Sequence, residues 1–195
     1  MEKPVDDVTD ANQLGTLVER VSSVVGTEGL QLLINNAGFT DRSQPTLGLQ
    51  TCDLLKKHFE LNTIAPILVT KAIEDLLVLS ARRYNSDSLS VSRATVVMIS
   101  SIKGSIQENL AGGSWGCRLS KVALNMATVT LAREMSPKGV LMLLLHPGWV
   151  RTDMGGPRGD IDVTTSIQGM FRVIEAASEK QAGIMYDYNG TIVPF

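Results

Sequence analysis

Three segments of the chain are largely apolar without alternation, and this pattern constrains the fold more than any other feature. They span residues 30–34, 94–100 and 140–145, and each is bounded by Gly, Pro, Asn or Ser. Strands without polar alternation are buried on both faces, which is typical of parallel sheets covered by helices. The intervals between them are long enough for helical crossovers, so the sequence predicts βαβ units of the α/β class.

Helical periodicity fills the intervals between these strands. The pattern predicts helices over residues 10–26, 52–82 and 114–135, then one with Ile167, Met170, Phe171 and Ile174 on one face, and a terminal strand at 184–186. Pro66 lies inside the second helix, where it cannot donate to the carbonyl of Asn62. We therefore expect a kink there and a free carbonyl at Asn62.

Composition limits the classes of protein and partner. A chain of 195 residues with 44% hydrophobic and 19% charged residues fits one globular domain, spanning 1–195. The net charge of -2 and the scattered Lys and Arg predict neither a nucleic-acid partner nor a membrane partner. The sparse cysteines Cys52 and Cys117 predict no metal site and indicate reduced thiols in a cytoplasmic protein.

Polar and turn-forming residues follow each apolar strand. Residues 35–38 read Asn-Asn-Ala-Gly, Ser100 and Ser101 end the second segment, and Pro147-Gly148 follows the third. Ligands of an open parallel sheet bind outside the carboxyl ends of the strands. The sequence therefore predicts a site at this edge of the sheet.

The motifs and their order resemble those of short-chain dehydrogenases/reductases. They are Asp7-Val8-Thr9, Asn35-Asn36-Ala37-Gly38, Asn62, Ile99-Ser100-Ser101, Leu119-Ser120-Lys121 with Asn125, and Pro147-Gly148-Trp149-Val150-Arg151-Thr152-Asp153-Met154. The last stretch is similar to the C-factor-like and sniffer-like carbonyl reductase branch. The resemblance implies a doubly wound, Rossmann-type parallel sheet. It also implies hydride transfer between NAD(P)(H) and a small-molecule carbonyl or alcohol, with NADP slightly favoured over NAD.

Roles for individual residues come from this resemblance. Ser101 would polarise the substrate carbonyl, Lys121 would hold the nicotinamide ribose and lower the pKa of the neighbouring acid, and the Asn62 carbonyl would hold a water. Cys117 stands at the position of the acid. The implied cofactor-binding residues are Asp7, at the adenine, and Val8, Asn36, Ala37, Gly38, Lys121, Pro147, Gly148, Val150 and Thr152.

Several residues have a structural interpretation beside the functional one. Trp115 fits a substrate-pocket wall or a core aromatic equally well. His58 and His146 lack a partner carboxylate motif, which favours structural roles for both. Taken singly, Asn62 and Thr152 are typical of turns and helix caps, and only the joint pattern favours catalysis.

The sequence departs from the family pattern at two places. Cys117 replaces the tyrosine expected four residues before Lys121; a thiol is acidic enough, but it is shorter by an aromatic ring. The match also begins near the end of the family's third strand, so we expect an incomplete domain lacking the first βαβ unit, roughly 50 residues with its Gly-rich turn. Segment 30–34 would then be an edge strand prone to self-association.

These departures leave three hypotheses open. One is an active NAD(P)-dependent oxidoreductase of the short-chain dehydrogenase type. The second is a catalytically impaired pseudoenzyme or truncated isoform that acts by binding another protein. The third is an incomplete gene product with no independent function.

Overall fold

A four-stranded parallel sheet forms the centre of the molecule. The structure, a computed structural model, describes residues 7–43, 46–84 and 88–195. The strands are β1 (Leu32–Asn35), β2 (Thr95–Ile99), β3 (Leu141–His146) and β4 (Met185–Asp187), in the spatial order β1-β2-β3-β4. All three pairings are parallel. The predicted α/β class with a parallel sheet is confirmed.

Helices cover both faces of this sheet. They are α1 (Leu14–Val25), α2 (Cys52–Phe59), α3 (Ala65–Arg82), α4 (Trp115–Met135) and α5 (Val163–Glu175). Side chains of α1, α3 and α4 pack with Val96 and Leu144 on one face. Residues of α5 pack with Val97 and Leu143 on the other. The sheet is therefore doubly wound, as predicted. No helix in the described part of the chain is long and apolar enough to cross a membrane.

Strand β3 is shielded on both faces. Every residue from Val140 to Leu145 is at most 1% exposed. Even-numbered residues such as Met142 join the cluster beneath α3 and α4, and odd-numbered residues such as Leu143 join the cluster beneath α5. This two-sided burial explains why the segment is continuously apolar.

Strand β1 lies at an edge of the sheet. Among the described residues it pairs only with β2, in a register that places Leu32 opposite Thr95. Ile34 keeps 40% of its surface exposed. An apolar groove of about 200 Å³ runs beside the strand, between α1 and α3. The predicted segment 30–34 is thus an edge strand, although its regular part is shifted toward Asn35.

The helix predicted over residues 52–82 is divided. Helix α2 ends at Phe59, a π-helical turn follows over Glu60–Ile64, and α3 begins at Ala65. The Ala65 amide donates to the carbonyl of Glu60, five residues back. Pro66 then occupies the first turn of α3, where its missing N–H costs little. The expected interruption is present, as a π-helical turn rather than a simple kink.

Substitution of Gly29 tests how the loop that precedes β1 packs against α3. The φ of Gly29 is +72°, and an added Cβ would lie 2.4 Å from the Ser80 amide nitrogen. We expect Gly29→Ala to lower the free energy of unfolding by about 2 kcal/mol or more, measured by urea titration. Gly15 of α1 has open space around it, so Gly15→Ala should instead stabilise by about 0.5 kcal/mol. Equal effects of the two changes would contradict this account.

Candidate active site

Loops from the carboxyl ends of β1 and β2 are linked to the first turns of α4, and the loop after β3 leaves the same edge of the sheet. The loop after β1 contains Gly38 and Phe39, and the loop after β2 contains Ser101 in front of a 3-10 turn, Ile102–Gly104. The third loop begins at Pro147. The predicted site edge is therefore formed by the elements that the sequence indicated.

The side-chain amide of Asn62 joins its π-helical turn to two of these elements, the loop after β1 and α4. Its Oδ1 accepts the Phe39 N–H at 2.7 Å, and its Nδ2 donates to the Phe39 carbonyl at 2.8 Å. Nδ2 also donates to Ser120 Oγ at 2.9 Å. These bonds are shielded from solvent, since Asn62 is fully buried. The π-helical turn thus fastens the loop after β1 to α4.

Lys121 lies buried beneath the same loop. Its Nζ donates to the Ile99 carbonyl at 2.7 Å, and a Cβ built on Gly38 would lie 3.8 Å from this Nζ. Burial lowers the pKa of Lys121 to about 8, and the nearby Cys117 opposes this shift. Lys121 therefore loses its proton more readily than a solvated lysine does.

The two serines after β2 have different surroundings. Ser100 is buried and donates through Oγ to Asn125 Oδ1, while Asn125 Nδ2 donates to the Gly104 carbonyl at 3.0 Å. Ser101 is partly exposed, and its Oγ accepts the Lys103 N–H at 3.2 Å. Ser100 therefore holds the loop, and Ser101 keeps its hydroxyl proton for an external acceptor.

Cys117 occupies the first turn of α4, four residues before Lys121. Its thiol is free and buried. Its carbonyl accepts the Ser120 hydroxyl at 3.1 Å, and the same hydroxyl accepts from Asn62. The backbone at the acid position is therefore fixed by the residues that hold the loop after β1, although a thiol replaces the longer phenol.

Apart from Gly38 and Lys121, the predicted cofactor residues fall into two groups. Asp7, Val8, Asn36 and Ala37 line the groove beside β1. Hydrogen bonds from the Thr9 hydroxyl and amide hold the pKa of Asp7 below its usual range.

The second group lies in the loop after β3. The Pro147 carbonyl accepts Ser166 Oγ at 2.6 Å, and Gly148 has a φ of +84°. Val150 pairs with Ile161 in a short bridge, while Thr152 Oγ1 accepts the Gly155 N–H at 3.0 Å. The loop is therefore held by its own backbone and hydroxyl contacts.

The two histidines differ in their environments. His58 is buried, its Nδ1 lies 2.9 Å from the Leu54 carbonyl, and its Nε2 accepts the Asp41 N–H at 3.3 Å. These contacts fit the structural interpretation. His146 Nδ1 is buried without a hydrogen-bond partner among the described residues, and burial lowers its pKa to about 4 against the opposing effect of Asp187.

Sequence reasoning assigned no role to Ser120, Phe39 or Lys103. Ser120 and Phe39 are the partners of Asn62, and Lys103 contacts Ser101. A weak signal for Ser120 was its position three residues after Cys117, within hydrogen-bonding reach of that carbonyl on a helix. Trp115 is 38% exposed, which excludes the core-aromatic interpretation. Within the described residues, no group of three His, Cys, Asp or Glu could hold a metal ion.

Comparison with known proteins identifies the family. The family described as short chain dehydrogenase matches residues 4–162. The chain belongs to this family. The oxidoreductase is 36% identical over 171 residues to the C-signal protein of Myxococcus xanthus, covering 88% of this chain and 96% of that relative.

Solved structures support the carbonyl reductase branch. Carbonyl reductase Sniffer of D. melanogaster superposes with a TM-score of 0.94 at 36% identity, covering 97% of this chain and 76% of its own. The NADPH-bound carbonyl reductase from chicken fatty liver superposes with a TM-score of 0.90 at 34% identity, and the match covers 97% of this chain and 75% of the chicken protein. The predicted resemblance is confirmed.

The pKa of Lys121 makes stability depend on pH. An unfolded lysine has a pKa of about 10.4. With the folded value near 8, the unfolded chain binds more protons between these values, so stability rises with pH there. Relative to Lys121→Met, we expect the free energy of unfolding of the native protein to increase by about 2 kcal/mol from pH 7.5 to 10. Urea titrations of the native protein and Lys121→Met at both pH values measure this difference. The same change in the free energy of unfolding with pH in both proteins would contradict it.

Proposed function

We propose that this oxidoreductase catalyses NADP(H)-dependent reduction of a small-molecule carbonyl. The observation that carries the proposal is the convergence of Asn62, Ser101 and Lys121 on the loops at the carboxyl ends of β1 and β2. The chicken relative binds NADPH, and both structural relatives are carbonyl reductases, which supports the choice of cofactor and substrate.

The site residues fit the nicotinamide part of such a cofactor. Gly38 leaves open space beside Lys121 Nζ, and a side chain there would crowd Asn62 Oδ1 at 3.3 Å. Lys121 would donate to the ribose hydroxyls, with the loop 147–152 on the other side. The bound cofactor supplies the hydride.

The chain's own residues would stabilise the charge that develops on the carbonyl oxygen. The Ser101 hydroxyl, whose oxygen already accepts from Lys103, would donate to that oxygen. By the family resemblance, the proton would come from the position of Cys117, which shares a face of α4 with Lys121. The Asn62 carbonyl, which receives no hydrogen bond from Pro66, would hold a water that links the site to solvent.

The length of the side chain at position 117 should limit the rate. We expect Cys117→Tyr to raise carbonyl reduction by on the order of 10² or more, because a phenol brings a proton donor to the substrate oxygen. Ser101→Ala in the Cys117→Tyr background should remove most of that gain, since both groups act on one oxygen. NADPH consumption with a panel of aldehydes and ketones provides the measurement.

Cys52→Tyr is the matched control, because Cys52 is an exposed thiol on α2. It should leave the rate unchanged. If Cys117→Tyr binds NADPH yet reduces no carbonyl faster than the native chain, the assignment of position 117 fails. A native chain and a Cys117→Tyr chain that both fail to bind NADPH would overturn the proposed function itself.

We also propose that the chain self-associates through β1. The Gln31 carbonyl accepts the Thr95 N–H, so the backbone groups of Gln31 point toward β2. In a parallel strand, successive residues direct their backbone groups to opposite sides, and those of Leu32 and Ile34 therefore point away from β2. A second copy of β1 offers the same groups and can pair antiparallel with the first.

A charge on this edge should prevent association. We expect the native chain to form dimers in light scattering and Ile34→Lys to be monomeric, because the lysine replaces an apolar side chain that is 40% exposed. Ile192, which is also exposed but lies beyond β4, provides the control Ile192→Lys. A monodisperse native monomer would contradict the proposal.

The cysteines support a proposed cytoplasmic location. Cys52 is exposed and Cys117 is buried, and both are free thiols. Exposed free thiols persist where the cellular thiol pool is reducing.

A further inference from the structure

Lys103 is placed between the two elements that carry the proposed chemistry. It belongs to the 3-10 turn directly after Ser101, and its N–H donates to Ser101 Oγ at 3.2 Å. Its Nζ donates to Ser114 Oγ at 2.9 Å. Ser114 is the residue before α4 and stands three residues ahead of Cys117. The ammonium group therefore spans from the Ser101 turn to the start of α4.

Lys103 forms no ion pair with any residue in the described part of the chain. The ion pairs found among the described residues are Arg83–Glu28 and Lys138–Glu74, and neither includes Lys103. The partner of Lys103 is a neutral hydroxyl, and the side chain is only partly exposed. The first turn of α4 carries no acidic residue. A partly desolvated ammonium with only a hydroxyl partner gains strongly from an anionic acceptor.

Apolar side chains accompany this cation along the loop that joins the Ser101 turn to α4. Ile106 is 72% exposed, Leu110 is 90% exposed, and Trp115 follows Ser114 directly. Exposed apolar groups in the same loop as the Ser114 partner of this ammonium match a ligand with an apolar body and one anionic group. In such a site the charged group fixes the orientation of the ligand, and the apolar side chains supply most of the contact area.

We propose that Lys103 selects carbonyl compounds that carry a carboxylate next to the carbonyl, that is, 2-oxo acids with an apolar substituent. This inference rests on the proposed function and deepens it. The Ser101 hydroxyl takes the carbonyl oxygen, and Lys103 exchanges the Ser114 hydroxyl for the carboxylate. Ser101 flanks the short turn that contains Lys103, and in this proposal the two donors bind neighbouring oxygens of one substrate.

The test compares phenylglyoxylate with its methyl ester, which has the same shape without the charge. Binding to the native chain is measured by ligand-observed NMR in the presence of NADPH. We expect the acid to bind at least tenfold more tightly than the ester, as a charge-assisted hydrogen bond implies. Lys103→Met should abolish this preference while leaving ester binding unchanged, and Lys103→Arg should restore it.

Lys71→Met is the matched control, because Lys71 is an exposed lysine on α3 and its loss changes the net charge equally. A merely structural role of Lys103 would weaken acid and ester binding together. Equal affinities for the two compounds in the native chain, or an unchanged preference in Lys103→Met, would overturn the inference. If the preference is present but neither the native chain nor Cys117→Tyr consumes NADPH with either compound, Lys103 recognises oxo acids and the proposed reductase function is wrong.

Discussion

Burial of β3 on both faces is the constraint on which the rest of the structure depends. A strand in which five of six residues are buried requires neighbouring strands on both edges and helical layers on both faces. Strands β2 and β4 supply the edges, and α3, α4 and α5 supply the layers. Because the strands are parallel, their carboxyl ends lie together, and the loops that carry Gly38, Ser101 and Pro147 meet at one edge.

Within that edge, a small hydrogen-bonded network converts the fold into a site. Asn62 contacts Phe39 and Ser120, and Ser120 contacts the carbonyl of Cys117, so the loop after β1 and the first turns of α4 are fixed relative to each other. The π-helical turn is what points Asn62 inward, since it changes the angular spacing of side chains between α2 and α3. A local irregularity of the helix thereby serves the site, which is common for π-helical turns in proteins.

Two lysines of the site differ in a way that matters for chemistry. Lys121 is buried and bonded to a backbone carbonyl, and its lowered pKa reflects the cost of keeping its charge there. Lys103 is partly exposed and bonded to a hydroxyl, which an anionic ligand can displace. Lys121 is therefore suited to positioning a bound cofactor, and Lys103 is suited to recognising a substrate that binds and dissociates. Cys117 lies between the two lysines in sequence. It stands at the acid position of the family but has a shorter side chain than tyrosine.

The sequence by itself determined the class of fold and indicated the edge of the sheet at which the candidate site lies. Continuous apolar runs at 94–100 and 140–145 require two-sided burial, and turn residues after each run mark the carboxyl ends, so both conclusions follow from local pattern. The sequence indicated an interruption at Pro66, but only the tertiary structure showed that residues 52–82 divide through a π-helical turn, in which Asn62 bonds to residues distant in the chain. The tertiary structure also decided the partners of Ser120 and Lys103, since contacts between residues 58 and 11 positions apart depend on how loops pack against α4.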